Sequence, residues 1–118
     1  MTPDDLLAYC LAKPGAWRDQ PWEEDLVAKV GSKIFAFLGS GDAGATVGVK
    51  CGANRDEADE WVTRYPDDAR AMPYIGRSGW NTLTSGGEIP DGEIREAVDA
   101  SYDYVVSKLP RRERPPTG

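Results

Sequence analysis

The stretch Leu26-Val27-Ala28-Lys29-Val30-Gly31-Ser32-Lys33-Ile34-Phe35-Ala36-Phe37-Leu38 holds two runs of β-branched, aromatic and aliphatic residues, separated by glycine and serine. Such residues fit a pleated, half-buried surface and are enriched in strands. Gly-Ser is a two-residue turn, and glycine supplies the positive φ that such turns need. The stretch therefore predicts an antiparallel hairpin, and the rest of the chain has to be arranged around a sheet.

Working outward, Ala16–Trp22 reads as extended, with prolines at 14 and 21 limiting it to a sheet edge or a loop. Before it, Thr2 can cap a helix with Pro3 at its first position and Asp4 and Asp5 in its first turn. Leu6, Leu7, Cys10 and Leu11 recur at helical spacing on that helix, and Pro14-Gly15 ends it. After the hairpin, Gly39 to Gly44 is read as a flexible loop leading to a strand from Thr46 to Cys51. Alternation there puts Val47 and Val49 on a dry face and Thr46, Gly48 and Lys50 on a wet one.

Asn54 to Tyr65 predicts a second helix, with Asn54 and Glu57 as a capping box and Ala58, Trp61, Val62 and Tyr65 as its buried stripe. Met72–Ile75 and Trp80–Thr84 predict another hairpin around Gly76-Arg77-Ser78-Gly79, with Arg77 at its tip. The last helix is expected from about Pro90 to Leu109, burying Ile94, Val98, Tyr102 or Ser101, Val105 and Leu109. The order implies an α+β fold: one compact domain over residues 1–109, an antiparallel sheet of five to six short strands, and helices packed on one face. Residues 110–118 are rich in proline and arginine and are expected to be disordered.

Composition narrows the function by exclusion. Histidine is absent, which removes the commonest general base, the commonest metal ligand and every Ser-His or Cys-His pair. No enzyme, cofactor or metal site is expected. The acidic residues at 56, 57, 59 and 60 fit a solvated helix face. Gly39 to Gly44 lacks the Gly-Lys-Ser/Thr ending of a phosphate loop. Cys10 and Cys51 match no zinc spacing and are expected to be reduced and buried. No apolar run approaches a membrane span and the acidic start lacks a signal-peptide pattern, so a cytoplasmic monomer is the expectation.

Net charge is −6. From Lys108 onward there are four basic residues and one acid, so this +3 segment leaves −9 on the body. An acidic body repels phosphate backbones unless its bases gather on one face. Of the four tryptophans, Trp61 is assigned to the core. Trp80 is read as core as well, with a role in contact as the alternative; if Leu83 faces the core instead, Asn81 does so too and needs buried partners.

Four segments together resemble the MmcQ/YjbR family. They are Lys13-Pro14-Gly15-Ala16, Lys29-Val30-Gly31-Ser32-Lys33-Ile34-Phe35-Ala36, Pro73-Tyr74-Ile75-Gly76-Arg77-Ser78-Gly79-Trp80-Asn81-Thr82-Leu83, and Ser101-Tyr102-Asp103-Tyr104-Val105-Val106-Ser107-Lys108-Leu109-Pro110. The resemblance implies a bacterial cytoplasmic protein with a frataxin/CyaY-like fold and a DNA-binding role through a double wing of hairpins. It also associates the chain with antibiotic resistance or secondary metabolism. Histidines that many members carry around the Trp-Asn-Thr hairpin are missing here, so no role of theirs transfers.

On that reading the contacts position phosphates rather than read bases. The candidates are Lys33 beside the first turn, Lys50 on the wet strand face, Arg77 at the hairpin tip, and Arg111 and Arg112 in the tail; Trp80 and Asn81 are candidates for base or ligand contact. The alternative is a non-catalytic module in which Tyr74, Arg77, Trp80 and Asn81 line a pocket for a small ligand or grip a protein partner.

Overall fold

The computed structural model describes residues 1–22, 25–41 and 44–115. Helix α1 spans Pro3–Leu11. Strands β1 (Ala16–Trp22), β2 (Asp25–Val30), β3 (Lys33–Gly41) and β4 (Gly44–Lys50) follow as a meander, then helix α2 (Arg55–Arg64). Strand β5 (Ala69–Ala71), strand β6 (Trp80–Thr84) and helix α3 (Asp91–Lys108) complete the elements. The six strands form one antiparallel sheet in the order β1-β2-β3-β4-β6-β5. The α+β architecture expected from the sequence is the one observed.

The helices lie on one face. Leu6 and Cys10 of α1 and Ile94, Val98, Tyr102 and Val105 of α3 pack on Ala28, Phe35, Val47, Val49 and Leu83 of the sheet. Helix α1 starts on a true capping box: Asp5 N–H donates to the Thr2 hydroxyl at 3.1 Å and Thr2 N–H to the Asp5 carboxylate at 3.0 Å. At α2 the Asn54 side chain accepts from Glu57 N–H at 3.0 Å, but Glu57 takes the Ala53 amide at 2.8 Å rather than that of Asn54. The expected reciprocal box is thus replaced by a cap one residue wider.

A bulge in β3 shapes one end of the sheet. Ala28 pairs with Ala36 but Lys29 pairs with Ile34, so Phe35 is the extra residue. Both Phe35 and Ala36 are then buried in the helix-side core. The β3–β4 ladder, paired from Gly41↔Gly44 up to Phe37↔Gly48, stops there. Beyond it the Ser101 hydroxyl of α3 fills the gap, donating to Phe35 O at 2.7 Å and accepting from Lys50 N–H at 3.0 Å. One helix side chain therefore supplies the link that the splayed strands no longer make.

The second hairpin differs from the sequence reading. The strand is Ala69–Ala71, and Met72–Ile75 is not part of it. Pro73 has no amide for a ladder, and Tyr74 takes a left-handed φ of 65°. Arg77 then sits on a short helical turn, Gly76–Ser78, instead of a two-strand tip. Alternation turns Leu83 and Asn81 toward the helices; Trp80, assigned to the core, is half-buried at its margin, packed against the core cluster and edge-on to Phe37 at 5.9 Å. Trp61, assigned to the core, is also only half-buried. In the region read as the Gly39–Gly44 loop, strand β3 continues to Gly41; Asp42 and Ala43 lie outside the described residues.

The segment after α3 is not loose as far as Pro115. Glu113 accepts from Ser32 N–H at 2.9 Å, and Arg114 donates to Leu109 O at 3.0 Å and Ser107 O at 3.2 Å. These bonds join part of the segment expected to be disordered to the domain; residues 116–118 lie outside the described residues.

Two outcomes follow from this packing. Ser101→Ala leaves a buried carbonyl and a buried amide unpaired, and is expected to cost about 2–3 kcal/mol, read as a lower urea midpoint at unchanged slope. Burial pushes the Cys10 thiol up to about 12 and the Cys51 thiol up to about 11. Cys10, which is buried as expected, should not react with a thiol reagent at pH 8 until denaturant is added, whereas Cys51, expected buried but only half-buried, should react slowly. Because the folded chain keeps thiol protons that the unfolded chain releases, stability should fall as pH rises from about 9 toward those values, which unfolding curves across that range would check.

Candidate functional site: a lysine-rimmed aromatic groove

Antiparallel order brings the end of β2, the start of β3, the end of β4 and the start of β6 to one end of the sheet. The C-terminal part of α3 passes over that end. A groove of about 450 Å³ opens between them, walled by Ile34, Trp80, Tyr104 and Val105 and edged by Lys29, Lys33 and Lys108. The aromatic rings and the ammonium groups are interleaved. Lys50 Nζ stands 4.6 Å and Lys108 Nζ 5.4 Å from the centre of the Tyr104 ring, within cation–π reach. Lys29 Nζ lies 5.2 Å from the Trp17 ring centre and 2.8 Å from the Asp19 carboxylate.

The charges differ in how free they are. Lys33 and Lys108 make no ion pair among the described residues. Hydrogen bonds from Ser32, with the charges of Arg112 and Lys33 adding to them, hold the Glu113 carboxyl below its ordinary range. Behind Tyr104 a second hollow of about 250 Å³ is lined by Lys50, Cys51, Trp61 and Ala100. On the helix-free face a shallow trough of about 230 Å³ runs past Phe37 between Thr46, Arg70 and Thr82.

Of the residues singled out in the sequence, Lys33 and Trp80 line the groove. Lys50 is not on a wet face: its side chain is buried, because it ends under Tyr104 and donates to Ser78 O. Asn81 is fully buried, donating to Ala58 O at 2.9 Å and accepting from Arg55 Nη2 at 2.6 Å, so both ends of its amide are used internally. That places Asn81 with the scaffold. Tyr74 and Arg77 are exposed on the loop between β5 and β6, whose backbone Arg55 holds through Gly76 O at 2.8 Å. Arg111 and Arg112 are exposed on the turn that carries Glu113 to Ser32.

The Gly31-Ser32 turn is not a free wing. Trp17 Nε1 donates to Gly31 O at 3.0 Å, and a Cβ on Gly31 would stand 3.1 Å from both Glu113 and Leu109. The sequence reading missed Lys29, Ile34, Tyr104 and Lys108. The available signal was Tyr104 and Lys108 at i and i+4, off the apolar stripe of α3. Among the described residues no three Cys, Asp or Glu side chains are grouped to hold a metal ion. No helix among them is long and apolar enough to cross a membrane.

Comparison with known proteins agrees with this architecture. The Deinococcus radiodurans protein DR2400, which carries the domain DUF419, superposes with a TM-score of 0.81 at 24% identity, over 95% of this chain and 84% of that one. A Pseudomonas syringae protein superposes with a TM-score of 0.65 at 18% identity, over 88% and 98%. In sequence the chain is 32% identical to the uncharacterized protein YjbR of Escherichia coli K12, across 97% of this chain and 95% of that protein. The YjbR family model matches residues 11–104. The chain therefore belongs to the YjbR family, the MmcQ/YjbR group that its motifs resemble.

Proposed function

We propose that the protein is a non-catalytic nucleic-acid-binding module that holds phosphates with the lysines of the groove. The observation that carries this is the gathering of Lys29, Lys33 and Lys108 around Trp80 and Tyr104, in a chain whose net charge is −6. A local positive field in an acidic protein marks where a polyanion can approach. The contacts assigned from sequence to hairpin tips move to this groove. The Gly31-Ser32 tip is covered by Glu113, and Arg77 lies on a helical turn. The hollow behind Tyr104, where Trp61 stands with Lys50 and Glu96, favours a second reading in which a small planar molecule is the ligand.

Labelled DNA titrated with the full chain should bind in the micromolar range at low salt. Its log affinity should fall linearly with log salt, and Lys33→Ala and Lys108→Ala should each flatten that slope by about 0.7–0.9. Anisotropy measures both. Absence of binding at low salt, or variants indistinguishable from the parent, would overturn the reading in favour of a small ligand.

A further inference from the structure

We infer that the partner of this groove is single-stranded nucleic acid, with bases laid on Tyr104 and Trp80 and the strand continuing onto the helix-free face of the sheet. The inference rests on the nucleic-acid reading above and adds to it the form of the partner.

Charge is segregated between the two faces. The exposed side of α2 carries Asp56, Glu57, Asp59 and Glu60, and that of α3 carries Glu96 and Asp103. The outer side of α2 thus repels phosphate, whereas α3 also carries Arg95 and brings Lys108 to the groove at its C-terminal end. The side that a helix would turn into a major groove is its exposed one, and on α2 that side is lined with acids. The helix-free face is different. It presents Lys29, Arg70 and the lysines at its end, and the acid Asp19 there is paired with Lys29.

The aromatics around the groove are partly open: Trp17 on β1 is 44% exposed, Tyr104 on the overhanging end of α3 is 37% exposed, and Trp80 is half-buried against Phe37. From the groove the surface passes Phe37 into the trough lined by Gly39, Thr46, Arg70 and Met72, with Met72 lying over Gly48. Rings beside ammonium groups along a shallow track are what an unpaired strand uses, since every base has a π-face to stack. A duplex hides its base faces. It also carries about one charge per 1.7 Å of axis, which the acidic helices would meet. A single strand bends away from them and gains from stacking, which salt does not screen.

Anisotropy with the full chain, using a labelled oligo(dT), its duplex with oligo(dA) and an abasic oligomer of equal length, tests this. Oligo(dT) is expected to bind about ten-fold tighter than the other two, on a stacking gain of about 1–3 kcal/mol per base. Tyr104→Leu should lose about five-fold or more on oligo(dT) while leaving the abasic oligomer unchanged, and Tyr104→Phe should retain the affinity. Tyr104 is exposed enough that the fold should survive, which a circular dichroism melt checks. Equal binding of all three oligomers would overturn the single-strand inference and leave the phosphate reading standing. Binding of none would remove both.

Discussion

The Ser101 hydroxyl ties α3 to the sheet at the place where the pairing of β3 and β4 ends. The bulge at Phe35 lets two adjacent residues enter the core, and the strands β3 and β4 part in consequence. Two buried backbone groups, Phe35 O and Lys50 N–H, would be left without partners. The hydroxyl answers both at once because it can donate and accept. That fixes α3 in rotation and height against the sheet. Tyr104 and Lys108, three and seven residues further along, are then carried over the strand ends. The groove is a by-product of how that gap is closed.

A second buried polar group plays the same part at the other side. Asn81 on β6 is tied to Ala58 O of α2 and to Arg55, and Arg55 reaches on to Gly76 O and to Asp59 at 2.7 Å. One guanidinium thereby joins a helix, a strand and the loop bearing Tyr74 and Arg77. Among the described residues no buried side-chain polar atom lacks a partner. The left-handed Tyr74 is held in place by its neighbours: Ile75 N–H reaches Pro73 O at 2.7 Å and Gly76 N–H reaches Met72 O at 3.0 Å.

The meander and the three helices were legible in the sequence because their signals are local: Gly31-Ser32 between two apolar runs, Thr2 before Pro3, Asn54 before an acidic first turn. The strand placed at Met72–Ile75 was misplaced because the apolar run outweighed Pro73, whose missing amide decides the matter. Alternation along β4 set Lys50 opposite Val49 correctly but could not reveal its cover. Tyr104 belongs to an element that meets β4 only through the tertiary fold, and the Ser101 bond joins positions 51 apart. The groove was illegible for the same reason: its walls come from β2, β3, β6 and α3, and only Lys33 and Trp80 were singled out beforehand. Asn81 was the instructive case, since alternation had already stated the condition for its burial.

The contact between Glu113 and Ser32 has an electrostatic consequence for the whole molecule. It pins the +3 segment that begins at Lys108 beside the turn carrying Lys33. That sets a local excess of positive charge against a body that carries −9. The charge is therefore unevenly placed, with basic residues gathered at the end of the sheet that bears the groove. An approaching anion meets an orienting torque as well as a net repulsion, and the face turned toward it is the one that bears the groove.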